Sequence, residues 1–330
     1  MTFFQTCPAL ILAAVLLTGC GGDQSVLSPF SENARTVNIL SNVLFIGGFL
    51  ILAVVIVLAG LAVFGSAHLR RRLAGENTVV VGGLVFPLVT LTPLLLYGYA
   101  LLGAGPAPLD GQRPLEVTVI GEQWWWRVIY TDSAGNSIRS ANELRIPVGR
   151  PVKLSLKTAD VIHSFWVPNL AGKVDMIPGR TNTLTLSADS PGIFRGQCAE
   201  YCGGAHALMA FKVVALPAKE FATWLEVEQS PAREPQSQVE SEGLELFLAN
   251  GCGGCHSVRG TPARGTVGPD LTHVGGRKTL AAGVLPNTAE SIARWIRDNQ
   301  EIKPENRMLP YRSLEPAELS AISSYLAGLR

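Results

Sequence analysis

The sequence predicts a multi-domain membrane protein: a two-helix transmembrane hairpin, then an all-β sandwich, then a small all-α domain. Three observations predict it. Only 16% of the 330 residues are charged and the mean hydropathy is +0.26, whereas an ordinary soluble domain carries about 25% charge. Two stretches, 36–69 and 77–109, hold no Asp, Glu, Lys or Arg, and each exceeds the ~20 residues that span a hydrocarbon core. Beyond residue 109 the pattern turns to short β-branched runs broken by Gly, Pro, Asn and Asp, and near the C-terminus to amphipathic stretches of helical length. A net charge of +1 without a long basic block excludes a general nucleic-acid binder.

Residues 1–19 read as an export signal. An apolar run over 9–17 closes on Leu16-Leu17-Thr18-Gly19-Cys20, where Cys20 would accept lipid and become the mature N-terminus, although 1–6 lack the usual Lys or Arg. Membrane helices are expected at about 38–64 and 78–102, within 36–109. Arg70, Arg71 and Arg72 lie between them, and a short arginine-rich loop stays on the cytoplasmic side. Both termini and everything after residue 109 are thus expected on the outer face of a bacterial cytoplasmic membrane. Pro87 and Pro93 should kink or loosen the second helix.

Residues 110–225 hold candidate strands at 115–122, 144–148, 152–158, 181–186, 192–197 and 211–216, the spacing of a small Greek-key sandwich. A polar linker over 226–242 follows; as a flexible chain it would span on the order of 20–25 Å. The chemistry sits in Gln197-Cys198-Ala199-Glu200-Tyr201-Cys202-Gly203-Gly204-Ala205-His206-Ala207-Leu208-Met209. Two thiols, an imidazole and a thioether form a soft donor set that favours copper. A one-copper electron-transfer site uses one Cys, so the second thiol points to two bridged ions, with His163 as the upstream imidazole. Read from the residues alone, three alternatives stay open: a Cys198–Cys202 disulfide, zinc held with both histidines, or His163 as an ordinary core residue.

This segment resembles the CuA site of subunit II of cytochrome c oxidase. The resemblance runs from the first membrane helix to about residue 224 and implies a cupredoxin-like sandwich. It implies Cys198 and Cys202 as bridging thiolates, His163 and His206 as terminal nitrogens, Met209 as a weak ligand and the Glu200 backbone carbonyl as the last. It also implies a magnesium ion shared with subunit I at the Glu200 side chain, and subunit I contacts at Asp160 and 175–180. Gly121-Glu122-Gln123-Trp124-Trp125-Trp126 resembles the family's aromatic run, whose first tryptophan, here Trp124, receives electrons. The family often has Tyr where Trp125 stands, and an acidic residue then Trp where Val79-Val80-Val81-Gly82-Gly83 opens the second helix.

In the C-terminal domain, 243–330, Cys252-Gly253-Gly254-Cys255-His256 is the attachment signature of a covalent c-type haem, with His256 on the iron. Helices are expected at 241–249, with Gly243 and Phe247 on one face, and at 316–329, bearing Tyr325 and Leu326. The pair is similar to the crossed helices of class I cytochromes c. That likeness implies that the proline carbonyl in Gly268-Pro269-Asp270-Leu271 holds the proximal imidazole, and that Met308 is the sixth ligand. His273 is the rival sixth ligand. The cysteines are then all assigned, Cys7 leaving with the signal, and no disulfide is required.

Taken together, the chain resembles a caa3-type subunit II, which carries electrons from a c haem to CuA and on to an oxygen-reducing, proton-translocating complex. That implies subunit I, a subunit III and a soluble or membrane cytochrome donor as partners. The catalytic residues would lie off this chain. The electron-accepting subunit of a CuA-type nitric oxide reductase is the alternative; quinol-oxidase subunits share the fold without the copper ligands.

Overall fold

The computed structural model describes residues 22–102, 113–131 and 135–330, so the expected signal and Cys20 lie outside the described residues. Among the described residues two helices are long and apolar enough to cross a membrane, Glu32–Phe64 and Glu76–Leu101. Both begin a few residues before the expected spans, because Glu32 and Glu76 occupy first turns, where a negative charge meets the helix dipole. A short helix, Ala67–Leu73, joins them; the Ser66 hydroxyl accepts from the Leu69 N–H at its start, and it carries Arg70, Arg71 and Arg72 in its last turn.

The second span is not uniform. It runs as α-helix over Glu76–Val80, widens into a π-turn over Val81–Val85 and resumes at Phe86–Leu102. Pro87 lacks an N–H and its ring would clash with the carbonyl four residues back, and one wider turn relieves that clash. Pro93 lies inside the resumed helix.

Among the described residues the sandwich has ten strands in two sheets. One sheet is ordered β3-β2-β1-β5-β8, with β1 Leu115–Glu122, β2 Trp125–Thr131, β3 Ser137–Ala141, β5 Val152–Thr158 and β8 Asn182–Leu186. The other is ordered β4-β10-β9-β6-β7, with β4 Glu143–Pro147, β6 His163–Trp166, β7 Val174–Met176, β9 Gly192–Cys198 and β10 Ala210–Leu216. Along β1 and β5, Val117, Val119, Leu154 and Leu156 alternate inward and close the core with Trp126 from the neighbouring β2 and with Phe165 and Phe211 from the facing sheet. β2, β3, β6 and β7 are additional to the strands expected: β3 reads Ser-Ile-Arg-Ser-Ala and β7 has three residues, whereas β2 does alternate, burying Trp126, Val128 and Tyr130. The segment 22–31 is bound to this sandwich, the Phe30 N–H donating to the Asn169 carbonyl at 2.8 Å.

The C-terminal domain has helices α6 Gln238–Ala249, α7 Ala289–Ile302 and α8 Pro316–Gly328. α6 and α8 cross at Gly243, where the Ala321 carbonyl occupies the space that a Cβ would need, and Phe247 packs on Tyr325. Helix α7 has no counterpart in the sequence reading.

The segment 226–242 differs from the flexible linker expected. Helix α5, Ala218–Gln229, runs into it and α6 begins at Gln238, leaving only 230–237 outside helices. That remainder is bonded down: the Ala232 N–H donates to the Arg259 carbonyl at 2.9 Å and Arg233 pairs with Glu240 at 2.7 Å. Polar composition suits an exposed helix as well as a coil, so composition alone could not separate them.

Candidate metal centre and haem cavity

Two strands and the loop that leaves the second of them deliver the soft donors to one place. β6 carries His163 and pairs with β9, Phe165 lying opposite Cys198. The Cys198 N–H donates to the Met209 carbonyl at 2.9 Å, so the loop between them closes on itself and returns Met209 beneath Cys202. The Sγ atoms of Cys198 and Cys202 stand 3.7 Å apart, far beyond the ~2.05 Å of a disulfide. His163 Nδ1 lies 3.8 Å from the Cys198 sulfur and His206 Nδ1 lies 3.4 Å from the Cys202 sulfur. Met209 Sδ is 3.9 Å from Cys202 Sγ, and the Glu200 carbonyl oxygen is 3.2 Å from Cys198 Sγ. The ligand atoms of His163, Cys198 and Cys202 all fall within 4.8 Å of one another, and all three residues are buried.

The electrostatics prepare the site for cations. The Cys202 thiol donates to Cys198, and with His163 it holds the Cys198 thiol well below its usual range. Cys202 is pushed up by the same neighbour and by burial. Metal binding would take the remaining proton, since the thiolate is the ligand. Burial opposes a proton on His163, but Cys198 and Asp160 outweigh it and raise its pKa. His163 Nε2 lies 2.8 Å from Asp160 Oδ1, so Nε2 carries the proton and Nδ1 is free to face the sulfurs. With two bridging sulfurs, an imidazole at each end, a thioether and a carbonyl, the donor set fits a copper pair better than a single ion. The Glu200 side chain is exposed, 4.0 Å from Lys173, and Tyr201 beside it is 75% exposed.

In the C-terminal domain, Cys252, Cys255, His256, Pro269, Trp295 and Met308 line one apolar cavity. Cys252–Gly254 forms a tight 3-10 turn that brings the free thiols onto the cavity wall. His256 Nδ1 donates to the Pro269 carbonyl at 2.8 Å, which leaves Nε2 for a metal. Gly268 passes directly over that ring, since a Cβ there would lie 2.5 Å from His256 Cε1. The Arg277 Nε–H is buried on the same wall without a partner, a donor suited to the acidic edge of a porphyrin. These residues fit a covalent haem. His273 instead faces the Ser230 carbonyl at 3.2 Å and lines a different cavity.

The haem cavity is closed on one side by the sandwich: Gln123, Trp124 and Trp125 belong to its lining. Trp124 is buried, and its indole Nε1–H donates to the Cys202 carbonyl at 3.0 Å, where the Gln123 amide also donates at 2.9 Å. Trp125 stacks under the Arg127 guanidinium, 4.7 Å from the ring centre, and Trp126 is core, edge-on to Phe165. Around this contact, Arg127 donates to the Thr266 carbonyl and Arg145 to the Gly276 carbonyl, each at 2.9 Å, and the Lys278 N–H donates to Glu143 at 2.7 Å. Arg277, Lys303 and Arg307 at this junction escaped the sequence reading. Lys303 meets Trp124 and Arg307 meets Asp160 more than a hundred residues away, and Arg277 donates to the Asp270 carbonyl through its own side chain's reach, so spacing carried no signal for any of them.

Residues 134–216 match the family model described as cytochrome c oxidase subunit II, periplasmic domain, and residues 240–330 match that described as cytochrome c. The chain is 33% identical over 333 residues to the cytochrome c oxidase subunit 2 of Alkalihalophilus pseudofirmus, covering 97% of this chain and 96% of the relative. It is 32% identical over 346 residues to that of Bacillus subtilis, with the same coverage of 97% and 96%. Among solved structures, the periplasmic domain of subunit II of the Bradyrhizobium japonicum cytochrome oxidase is 33% identical, covering 37% of this chain and 97% of that one, with a TM-score of 0.34.

Proposed function

Because this chain belongs to the cytochrome c oxidase subunit II family, we propose that it is the electron-accepting subunit of a caa3-type oxidase, passing electrons from its own c haem through Trp124 to a dinuclear CuA centre. The observation that carries this reading is Trp124, which lines the haem cavity while its Nε1–H holds the carbonyl of Cys202. Bound here, the haem and the copper pair supply one-electron redox chemistry.

The chain's own residues position and insulate these groups. Cys252 and Cys255 would hold the porphyrin, and His256 and Met308 would ligate its iron. A thioether on iron raises the potential, as an electron carrier requires. Cys198 and Cys202 would hold the coppers with their two thiolates, His163 and His206 would each offer an imidazole, and Met209 and the Glu200 carbonyl would complete the set. Asp160 fixes the tautomer of His163, and the buried sandwich excludes water from the sulfurs. The exposed Glu200 side chain would hold a magnesium ion shared with subunit I. Oxygen reduction and proton translocation belong to that partner and its neighbours, supplied by an external cytochrome. The two apolar helices cross the bacterial cytoplasmic membrane with both metal domains outside, and Cys20 carries lipid.

Purified with its complex, the chain should hold two coppers in a mixed-valence, sulfur-bridged centre and one haem that resists acid-solvent extraction. Metal analysis, electron-spin resonance and solvent extraction read all three. One copper with a single-ion blue spectrum, or an extractable haem, contradicts the reading.

A further inference from the structure

A lysine of the haem domain is buried in the surface of the sandwich. Lys303 follows helix α7, is 3% exposed, and its Nζ donates to the Trp124 carbonyl at 2.5 Å and the Ala281 carbonyl at 3.2 Å. Lysine is seldom buried unless paired, because desolvating its charge is costly. Here its hydrogen-bond partners are two carbonyls, one in each domain.

The residues after it continue the contact. Glu305 lies against Gly204, close enough that a Cβ at Gly204 would collide with its carboxylate. Arg307 stands 3.6 Å from Asp160, whose Oδ2 accepts the Gln123 N–H at 2.8 Å. Asp160 and Lys303 therefore grip the Gln123–Trp124 turn from its two ends, one at an N–H and the other at a C=O.

The backbone of this contact is strained. Ala281, Ala282 and Glu305 have φ of 53°, 62° and 63°, a region that residues with side chains seldom occupy. One of them presents its carbonyl across the junction, Ala282 accepting from the N–H of Ala210, which follows Met209, at 3.0 Å, while Ala281 accepts from Lys303 on the haem-domain side. A domain that swung freely on a tether would have no use for strain at these positions.

We propose that Lys303 is a positioning residue: by holding the Trp124 carbonyl it docks the haem domain in one pose and fixes the indole between the haem cavity and the copper ligands. This rests on the haem-to-copper reading above and adds what sets the geometry. The step it serves moves one electron from ferrous haem to the oxidised copper pair, with no bond formed or broken. Burial lowers the pKa of Lys303 to about 7, the Cys202 side pulling the other way. Both protonation states keep enough N–H groups for both carbonyls, so the docking does not depend on titration.

The test compares wild type with Lys303→Met in the intact complex, with haem and copper loaded. After photoreduction of the haem, copper reduction in the variant should slow by at least about tenfold, as small misplacements do, while both metal spectra stay unchanged. In unmodified wild type, the Lys303 amine should be acetylated at least about tenfold more slowly than the exposed Lys153, because labelling needs local opening. An unchanged transfer rate with intact spectra, or labelling of Lys303 as fast as Lys153, overturns the proposal. If Lys303→Met loses either metal group, the labelling of wild type decides. Absence of haem-to-copper transfer in wild type itself would instead overturn the functional reading.

Discussion

The indole Nε1–H of Trp124 donates to the backbone carbonyl of Cys202 at 3.0 Å while the same residue lines the haem cavity. One side chain thus touches both redox sites, and it is held at three points: by this bond, by Lys303 on its carbonyl, and by Asp160 on the N–H of the preceding Gln123. Electronic coupling falls steeply with distance, so a buried ring with fixed orientation is a better conduit than a surface side chain.

Gly121 should be intolerant of substitution. A Cβ at this position would lie 2.9 Å from the His163 ring, so Gly121→Ala must push the imidazole off its place beside Cys198. Overpacking of this kind costs about 1–3 kcal/mol. Thermal unfolding should show that loss, and copper titration should show weakened binding.

Loss of either thiol should abolish the bridged centre, because one sulfur remains where two ions must be joined. Cys198→Ser and Cys202→Ser should each fail to give the mixed-valence spectrum. Met209→Leu removes a weak donor 3.9 Å from Cys202 Sγ and should shift the potential while two coppers are retained. Copper analysis with a redox titration separates the two outcomes.

On the haem, Met308→Ala should leave the group covalently attached, lower its potential and open the iron to added ligands such as imidazole. Gly268→Ala should act from the opposite face, since its new Cβ would crowd the His256 ring at 2.5 Å. Optical spectra of both variants, with and without imidazole, check this. His273→Ala should leave the sixth ligand in place.

The Arg233 guanidinium beside Glu240 holds that carboxyl below its usual range. A carboxyl depressed in the folded state binds fewer protons than in the unfolded chain, so its contribution is fully present above the unfolded value of 4.5 and is lost as pH falls through the folded one. Glu240→Gln should therefore flatten the acid limb of stability below about pH 4.5, and leave its pH dependence near neutrality unchanged. Unfolding midpoints of the two chains across pH 2–7 read the difference.

Local pattern carried much of this molecule. The soft donors stand within one loop, the haem signature spans five residues, and β1, β5 and β10 alternate or run apolar, so each announced itself. Strands β3, β6 and β7 did not, being short or polar, whereas β2, with Trp126, Val128 and Tyr130 alternating inward, and helix α7, with Ile292 and Ile296 on one buried face, carry a local pattern that the expectations passed over. The junction was illegible because Lys303 and Trp124 are 179 positions apart, and nothing near either residue signals the other. The polar segment after residue 225 read as a tether, whereas hydrogen bonds such as Ala232 N–H to the Arg259 carbonyl pin it down. Proximity of the two redox sites therefore comes from docking as well as from linkage.

The central claim is that electrons pass inside this chain, from the haem domain to the copper loop. Photoreduction of the haem in the purified complex, followed by the absorbance of the copper pair over a tenfold dilution series, tests it most directly. The account predicts first-order copper reduction at a rate independent of enzyme concentration and only weakly sensitive to ionic strength, since the docked domains need no encounter by diffusion. A rate that rises in proportion to enzyme concentration, or copper that is reduced only when an external donor is added, would contradict it.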